Sequence, residues 1–330
     1  MNSMTELDEI TPGLDELSAD RKLATSEIHE PNDYYGHATI LKDYAGIPAD
    51  ESLLLSIQHG VRFDLDYWQH DYHKNHAVGF VPSLWRVQVL REKMQRTLHA
   101  IGPYLHYTRS LLSPEIIASA RAKLGRTLLV FPAHSTHHIE IDFDIAGFCE
   151  HLTDARKNFS TVLVCLYWKD ILRGAREHYE RHGLHCVTAG HMFDAAFIPR
   201  LRTLLEISDA TLSNQVGTHL GYSLYLGKPH QLIPTKINRN FASEEFRSSS
   251  TAHTRLDGEL FNERFAAAPD TITLGQLELA EKYWGFSSVK TPAEIRSFVA
   301  EARRAQKALI RRKAYIRMTA TLKHLLFRSK

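Results

Sequence analysis

The chain has 330 residues, of which 43% are hydrophobic and 24% are charged, and its formal net charge is +2. This composition is typical of a soluble globular protein with room for two domains, and no apolar run approaches the length of a transmembrane helix. The small net charge hides an asymmetry, because ten Lys and Arg residues and no Asp or Glu lie between Arg303 and Lys330.

We expect residues 1–33 to form a mobile acidic arm or a loosely docked segment, because they are punctuated by Pro and Gly and show no clear hydrophobic period. They lack an apolar core segment, so a signal peptide is not expected. Three well-separated cysteines, Cys149, Cys165 and Cys186, form neither a disulfide framework nor a CxxC zinc pattern. We therefore expect a cytoplasmic protein.

A first series of strands and helices is predicted over residues 34–125. Its periodicity predicts strands at Ser52–Ile57, Ala77–Phe80 and Tyr104–Tyr107, a loop at Asp64–Asn75, and helices at Trp85–His99 and from Ser113 to Leu124. Ser113 followed by Pro114 is a typical helix start, and Gly125 ends that helix.

A second series begins at Thr127. It predicts strands at Thr127–Phe131, Thr161–Trp168 and His185–Gly190, with helices at Ile145–Lys157, Asp170–His182 and Ala195–Glu206. Strands that alternate with helices of this length predict a doubly wound parallel α/β sheet. The two series therefore suggest two Rossmann-like domains that face each other across a cleft, with ligands at the carboxyl ends of the strands.

The stretch from Ala210 to Ile233 predicts a strand, a glycine-bearing loop, a helix and a further strand. Thr218 is predicted to cap the helix, and Gly217 allows close approach of a ligand to the backbone. The N–H groups at a helix N-terminus favour a phosphate, which His219 is also placed to contact. The alternative is that the glycines only allow tight packing of the helix against the sheet.

Two further segments follow predicted strands and carry polar side chains. His59 lies beside Gly60 at the end of the first strand, where it is a candidate general base, with Asp64 as the fallback. The alternative for His59 is a structural histidine, and the alternative for Asp64 is a residue of a solvated loop.

The segment Phe131–Asp144 holds three histidines and three acidic residues. It predicts either a phosphate-contacting loop, with hydrogen bonds from His134, Ser135 and Thr136, or a plain polar turn. A third interpretation is a metal site, with ligands drawn from His134, His137, His138, Glu140 and Asp142. Because alternate residues of an extended segment point to opposite faces, we expect no metal there.

Residues 236–270 are polar and predict a long surface excursion, followed by helices at Thr273–Tyr283 and Pro292–Lys313. Basic and apolar residues alternate in the tail from Arg303 to Lys330. They predict either a helix on an anionic membrane surface or a helix packed on the body. A nucleic-acid partner is not expected, because the rest of the chain is acidic and carries no recognised motif.

Several motifs resemble those of a known family. The block SNQVGTHLGYSLYLGKP resembles the donor-binding strand, loop and helix of GT-B glycosyltransferases and of related nucleotide-sugar epimerases. Together with IQHGV, LVFPAHSTHHIEIDFD and EKYWGF, it resembles bacterial capsule and lipopolysaccharide transferases, including those that transfer Kdo, sialic acid or glycerophosphate. The resemblance covers roughly residues 50–290.

The resemblance implies a role for each matching position. His59 matches an HG histidine that acts as base or contacts the acceptor. The other positions match loops that line the donor site, and they are Ser213, Gly217, Thr218, His219, His134, Ser135 and Thr136. The Glu-x7-Glu pattern of common retaining GT-B enzymes is missing around residues 210–230.

The resemblance implies an acceptor-side domain at 34–125, a donor-binding domain at 126–290 and a basic helical tail at 291–330. The first segment of that tail, Pro292–Arg304, would cross back to the first domain. The implied activity is sugar transfer from a CMP- or UDP-linked donor to a glycan or lipid-linked acceptor, without a metal or other cofactor. A nucleotide-sugar 2-epimerase-like enzyme and a non-catalytic membrane-associated scaffold are the alternatives.

Overall fold

The computed structural model describes residues 13–136, 139–242, 256–267 and 270–328, and it describes side chains as far as residue 311. The strands are β1 (Ser56–Ile57), β2 (Val78–Val81), β3 (Thr97–Ala100), β4 (Thr127–Phe131), β5 (Ile139–Asp142), β6 (Thr161–Cys165), β7 (His185–Val187), β8 (Ala210–Ser213), β9 (His230–Leu232) and β10 (Asn238–Phe241). The helices are α1 (Leu14–Ser18), α2 (His37–Ala45), α3 (Leu84–Arg91), α4 (Pro114–Leu124), α5 (Ile145–Ala155), α6 (Trp168–Leu172), α7 (Ala175–Glu180), α8 (Phe197–Ile207), α9 (Thr218–Tyr225), α10 (Gly258–Phe265), α11 (Leu274–Trp284) and α12 (Pro292–Arg328).

Two parallel sheets organise the chain. The first contains β1, β2 and β3 in that order, and the second has the order β7-β6-β4-β8-β9. The apolar runs of β2, β4 and β6 are buried nearly throughout, as expected for parallel strands covered on both faces. The predicted α/β class with two Rossmann-like parallel sheets is confirmed.

The order of the second sheet reverses between β4 and β8, since the chain adds β6 and β7 on one side of β4 and then β8 and β9 on the other. In open α/β sheets, ligands bind at such a switch point, outside the carboxyl ends of the strands. The loops that follow β4 and β8 therefore meet at the place where a ligand is expected.

The two sheets share a continuous apolar core. One cluster of buried residues includes Leu55 and Phe80 near the first sheet and Leu129, Leu163 and Leu220 near the second. The first sheet lies within residues 34–125 and the second within 126–290, and the division into domains at that point stays a prediction.

Helix α12 returns to the first sheet. Ile295 and Val299 lie in the shared core, and the Arg296 guanidinium donates to the backbone oxygen of Ala45 at 2.9 Å. Phe298 stacks on His99 with a centroid separation of 3.9 Å. The first turns of this helix thus pack on the body. The side chains beyond residue 311, which include most of the basic tail, lie outside the described part of the chain.

The prediction of a mobile arm is wrong for the described residues from Leu14 to Asp33. The His191 N–H donates to the Leu17 oxygen at 2.9 Å, which ties α1 to the second sheet. Glu27 is buried against Lys42 at 2.7 Å and accepts from the Leu53 N–H. Paired buried charges of this kind fix the segment in place. Residues 1–12 lie outside the described part.

Apart from shifts of their ends, three predicted elements differ from the structure in type or continuity. The predicted helix Trp85–His99 ends at Arg91, and its last residues form β3, because pairing with β2 overrides the helical pattern. The predicted strand Tyr104–Tyr107 is a 3-10 turn. The predicted helix Asp170–His182 is divided into α6 and α7 at Gly174, which has a φ of +83°.

The polar excursion at 236–270 contains β10, which pairs antiparallel with β5, and α10, which buries Phe261 and Phe265. The pairing of β5 with β10 was not predicted from the sequence. Residues 243–255 and 268–269 of this excursion lie outside the described part of the chain.

Candidate active site at the junction of the two sheets

The loop after β1 contacts the first residue of α9. The backbone N–H of Val61 donates to the Thr218 hydroxyl oxygen at 3.0 Å. Gly60 lies against the same hydroxyl and has a φ of +60°. A Cβ added to Gly60 would lie 3.0 Å from Thr218 Oγ1. The structure therefore brings the His59 loop and the Thr218 loop into direct contact.

Thr218 does not cap α9, which corrects the sequence prediction. The N-cap is Gly217, and no side chain caps this helix start in the described structure. The Thr218 hydroxyl faces Val61 instead, because the first helical residue points sideways toward the neighbouring loop. The N-terminus of α9 thus presents backbone N–H groups and the positive end of the helix dipole, which favour an anion.

Two aromatic side chains hold the start of α9. The Trp284 indole N–H donates to the Thr218 backbone oxygen at 2.9 Å, and the Trp284 ring packs on Gly221. The His219 imidazole folds over Gly217 and stacks on Phe131, with centroids 4.7 Å apart. His219 therefore lies beside the helix N-terminus, and its contact with a donor phosphate stays a prediction.

Ser213 lies inside the protein, so its predicted contact with a donor is corrected. The hydroxyl is fully buried, donates to the Gln215 backbone oxygen at 2.9 Å and lies 3.0 Å from Nε2 of His230. Burial lowers the pKa of His230 well below its usual value, so this ring is neutral. Ser213 is the last residue of β8, and its side chain points into the core rather than toward the edge of the sheet.

Asn214, the next residue, joins the two loops at the switch point. Its Oδ1 accepts from the Ala133 N–H at 2.6 Å, and its Nδ2 donates to the Thr235 hydroxyl at 3.0 Å. The loops after β4, β8 and β9 are thus fastened to one another. No role was predicted for Asn214 from the sequence, although its position directly after a buried strand is the signal that marks it.

Of the three residues predicted to line the cleft after β4, His134 is the one that is exposed. Its ring lies 4.4 Å from the Tyr167 ring. The buried Ser135 hydroxyl accepts from the Ile141 N–H at 3.1 Å, and Thr136 accepts from Ile139 at 3.2 Å. These two hydroxyls accept backbone hydrogen bonds from the β5 segment.

A cavity of about 170 Å³ lies beside His134 at the carboxyl ends of β4 and β6. Tyr167, Asp170, Glu140 and Arg173 line it together with apolar side chains. Asp170 accepts from the Ser135 N–H at 3.2 Å, and burial raises the pKa of its carboxyl group. Ligand pockets for whole drug-sized molecules are larger, so this volume suits one ring of a ligand.

His59 is paired with an acidic residue that the sequence analysis missed. Its Nδ1 lies 2.7 Å from Oδ1 of Asp71, and its Nε2 faces the backbone oxygen of Pro31. The Asp71 side chain is 1% exposed and the His59 side chain 11%. A carboxylate that bonds to Nδ1 of a histidine orients the imidazole for proton transfer. The pair is twelve residues apart across an irregular loop, so no helical or strand spacing marks it.

Asp64, the predicted fallback base, has a structural role. Its carboxylate accepts from the Arg62 guanidinium at 2.7 Å and from the Asp66 N–H at 2.9 Å. These bonds close the turn that follows the His59 loop. Because both oxygens are engaged within this turn, the role of a general base is not supported for Asp64.

The segment Glu30–Gly36 fills the space between the two sheets and was not predicted to contribute. Tyr35 has a φ of +57°, which is strained for a bulky residue, and its N–H donates to the Met192 oxygen at 2.6 Å. The Tyr35 hydroxyl lies 3.2 Å from the Tyr167 hydroxyl, and Tyr34 packs on His59. Such strain is concentrated at functional sites.

Among the described residues, no group of three His, Cys, Asp or Glu side chains is arranged to hold a metal ion. His137 and His138, two of the ligands considered from the sequence, lie outside the described part. None of the described helices is long and apolar enough to cross a membrane.

No known protein family matches the chain, and no curated protein matches it. The wall teichoic acid polymerase TagF aligns at 13% identity and a TM-score of 0.34, over 75% of this chain and 58% of that one. The pneumococcal O-GlcNAc transferase GtfA, in complex with UDP and GlcNAc, aligns at 13% identity and a TM-score of 0.35, over 83% and 55%. The chain thus spans a little more than half the length of these structures.

Proposed function

We propose that this chain is a GT-B-type glycosyltransferase that moves a sugar from a nucleotide-activated donor to a glycan or lipid-linked acceptor. The observation that carries the proposal is the hydrogen bond from Val61 to Thr218. It joins the loop of the candidate base His59 to a helix N-terminus at the switch point of a parallel sheet. A base and an anion site at one junction are what transfer from a sugar phosphate requires.

The donor phosphate would lie at the N-terminus of α9. The backbone N–H groups at Gly217 and Thr218 and the helix dipole favour the negative charge that develops as the phosphate leaves. His219 lies beside them. Because these groups stabilise the leaving phosphate, the proposal requires no metal.

The cavity beside His134 would take the nucleobase of the donor. It lies at the loop that follows β4, which Asn214 fastens to the loop that leads into α9. Its mixture of apolar side chains, Tyr167 and the Asp170 carboxyl suits a flat heterocycle with polar edges. A CMP- or UDP-linked donor remains our hypothesis.

His59 would remove the proton from the acceptor hydroxyl. The acceptor O–H bond breaks toward the imidazole, the oxygen forms a bond with the anomeric carbon, and the bond from that carbon to the phosphate oxygen breaks. The electron pair leaves with the phosphate at α9. Positioning and charge stabilisation supply most of the acceleration in such a reaction.

We also propose that the acceptor belongs to bacterial envelope polysaccharide synthesis and that the protein works in the cytoplasm at the inner face of the membrane. The resemblance of the quoted motifs supports the first part. The basic residues from Arg303 to Lys330 support the second, through attraction to anionic lipids.

A thermal-shift screen with CMP, CDP, UDP and GDP tests the donor site, since a ligand that binds the native state raises its apparent stability. We expect one pyrimidine nucleotide to raise the melting temperature. The stabilising nucleotide is then offered as a sugar donor to wild-type protein and to His59→Ala, which should bind it but not transfer.

Each remaining outcome points to another function. Binding with sugar isomerisation and no transfer would favour the nucleotide-sugar 2-epimerase-like alternative. If none of the four nucleotides binds, the non-catalytic scaffold is favoured and the proposed function is wrong.

A further inference from the structure

Two acidic side chains line the cavity beside His134, and they differ in exposure. Asp170 lies in the first turn of α6 and is half-buried, whereas Glu140 lies on β5 and is exposed. The guanidinium of Arg173 also lines the cavity and is exposed. Asp170 is therefore the acid that is more enclosed by the protein, and its chemistry decides which ligand edge the cavity favours.

The carboxyl group of Asp170 is held in place by the loop after β4. The Ser135 N–H donates to its two oxygens at 3.3 and 3.2 Å, and the Asp170 N–H donates to the Tyr167 oxygen at 3.0 Å. Burial raises the pKa of this carboxyl group, while the nearby His134 and the hydrogen bonds from Ser135 oppose the rise. The group has thus lost part of its hydration, and a ligand that donates a hydrogen bond to it would replace that water.

The two pyrimidine bases present opposite groups to such a carboxylate. Cytosine carries an amino group at C4, which donates hydrogen bonds, whereas uracil carries a carbonyl oxygen there, which accepts them. A carboxylate only accepts, so it attracts the amino group of cytosine and repels O4 of uracil. The N3–H of uracil lies between two carbonyl groups, so a carboxylate that approaches it also meets their negative charge.

Arg173 would favour uracil if its guanidinium met O4 of the base. Its Nη1 lies 3.5 Å from Oε1 of Glu140 instead. A carboxylate is a stronger acceptor for a guanidinium than the carbonyl of a neutral base, so Arg173 stays with Glu140. The purines with an amino group are disfavoured by size, because a cavity of about 170 Å³ suits a single ring.

We propose that Asp170 selects the base of the donor, and that this base is cytosine, whose amino group donates to the Asp170 carboxylate. This inference rests on the proposed function and decides between the two nucleotide classes that it left open. Cytidine monophosphate and cytidine diphosphate sugars carry the same base, so Asp170 accepts either of them. A uridine-linked donor is rejected at the same carboxylate.

Calorimetric titration of the full chain with CMP, UMP, CDP and UDP tests the selection. We expect each cytidine nucleotide to bind about tenfold more tightly than the uridine nucleotide with the same phosphates. In Asp170→Asn the amide both accepts and donates, so it fits either base, and the ratio of the two affinities should fall to within about twofold. A wild-type ratio near one, a preference for uridine, or an unchanged ratio in Asp170→Asn would overturn the proposal.

Asp154→Asn is the matched control, since it removes the same charge from an exposed position on α5. Its carboxylate pairs with Lys157 at 2.7 Å and does not line the cavity. This variant should keep the wild-type ratio of cytidine to uridine affinity. A loss of selection in both variants would mean that the overall charge of the protein, and not the Asp170 carboxylate, sets the preference.

A change in the ligand covers the case in which Asp170→Asn does not fold. The 5′-monophosphate of pyrimidin-2-one riboside is CMP without its amino group, so the wild-type protein should bind it about tenfold more weakly than CMP. Equal binding of these two ligands would overturn the proposal. If none of the nucleotides binds, the proposed function fails and this inference fails with it. If uridine nucleotides bind as tightly as cytidine nucleotides, the proposed function stands and the inference alone is wrong.

Discussion

The backbone N–H of Val61 and the hydroxyl oxygen of Thr218 lie 3.0 Å apart, and their hydrogen bond joins two loops that are 157 residues apart in the chain. Each loop follows a parallel strand, β1 in the first sheet and β8 in the second. This contact places the His59 loop directly beside the N-terminus of α9. The geometry of the proposed site depends on it.

Thr218→Val should destabilise the protein by about 1–3 kcal/mol, because it leaves the Val61 N–H without its acceptor in a half-buried position. Thr218→Ser keeps the hydroxyl and is the matched control. Urea denaturation of the three proteins measures the difference in the free energy of unfolding. If the serine variant lost as much as the valine variant, the hydrogen bond would not be the cause.

Gly60→Ala should cost more stability than Gly46→Ala. Both glycines have similar positive φ values, +60° and +64°, so the backbone strain on adding a Cβ is comparable. A Cβ at Gly60 would also meet Thr218 Oγ1 at 3.0 Å, whereas at Gly46 it would meet nothing within 4 Å.

The comparison of these two alanine variants isolates the close approach of the two loops. We expect Gly60→Ala to weaken nucleotide stabilisation in the thermal-shift assay as well, because it displaces Thr218, and we expect Gly46→Ala to leave it unchanged. Equal losses in both variants would mean that the loops have room to separate.

The parallel strands were predictable because their apolar runs are uninterrupted and end in polar loops. The strand predicted at Thr127–Phe131 and the strand predicted at the start of the stretch Ala210–Ile233 agree with β4 and β8. The junction of the His59 and Thr218 loops followed from the rule that ligands lie beyond the carboxyl ends of parallel strands. That rule needs only the order of elements along the chain.

Asp71 and Tyr35 could not be predicted, because their positions depend on tertiary contacts. Asp71 lies in an irregular loop without a period, and its partnership with His59 exists only once that loop is folded back. Tyr35 adopts a φ that its residue type disfavours. The hydroxyl of Ser213 was assigned to a ligand because a sequence does not show which way the last side chain of a strand points.

Gly221→Ala should destabilise the protein by about 1–3 kcal/mol, although Ala is the better helix former by about 1 kcal/mol. A Cβ at this position would lie 2.2 Å from the Trp284 ring, which is completely buried. The ring also donates to the Thr218 backbone oxygen, so its displacement would disturb the start of α9.

Gly275→Ala is the matched control for this change. Gly275 lies in α11, and its added Cβ would meet the guanidinium of Arg264 at 3.1 Å, the far end of a flexible side chain. We expect this variant to keep wild-type stability or to gain a little. A stable Gly221→Ala protein, measured by thermal unfolding, would show that the indole has space to move.

Stability should fall as the pH drops below about 6.5, because several buried histidines, His29 and His76 among them, stay neutral in the folded protein. Burial lowers the pKa of His29 to about 4 and that of His76 to about 3, against 6.5 in the unfolded chain. Below pH 6.5 the unfolded chain binds protons that the folded chain does not, so each ring costs up to about 1.4 kcal/mol per pH unit. The loss from His29 ends near pH 4 and that from His76 near pH 3.

His76→Gln should make this decline shallower by about one proton between pH 6 and pH 4, because glutamine does not titrate. The ring lies 3.3 Å from the Ser56 hydroxyl, a polar contact that glutamine is able to replace. His151→Gln is the control, since that ring is exposed on α5 and should leave the slope unchanged. Urea denaturation at half-unit steps of pH gives the three slopes. Parallel curves for wild type and His76→Gln would mean that the His76 imidazole takes up its proton in the folded state. We do not expect this, because the ring is buried beside two other histidines, His29 at a centroid distance of 5.9 Å and His73 at 4.5 Å.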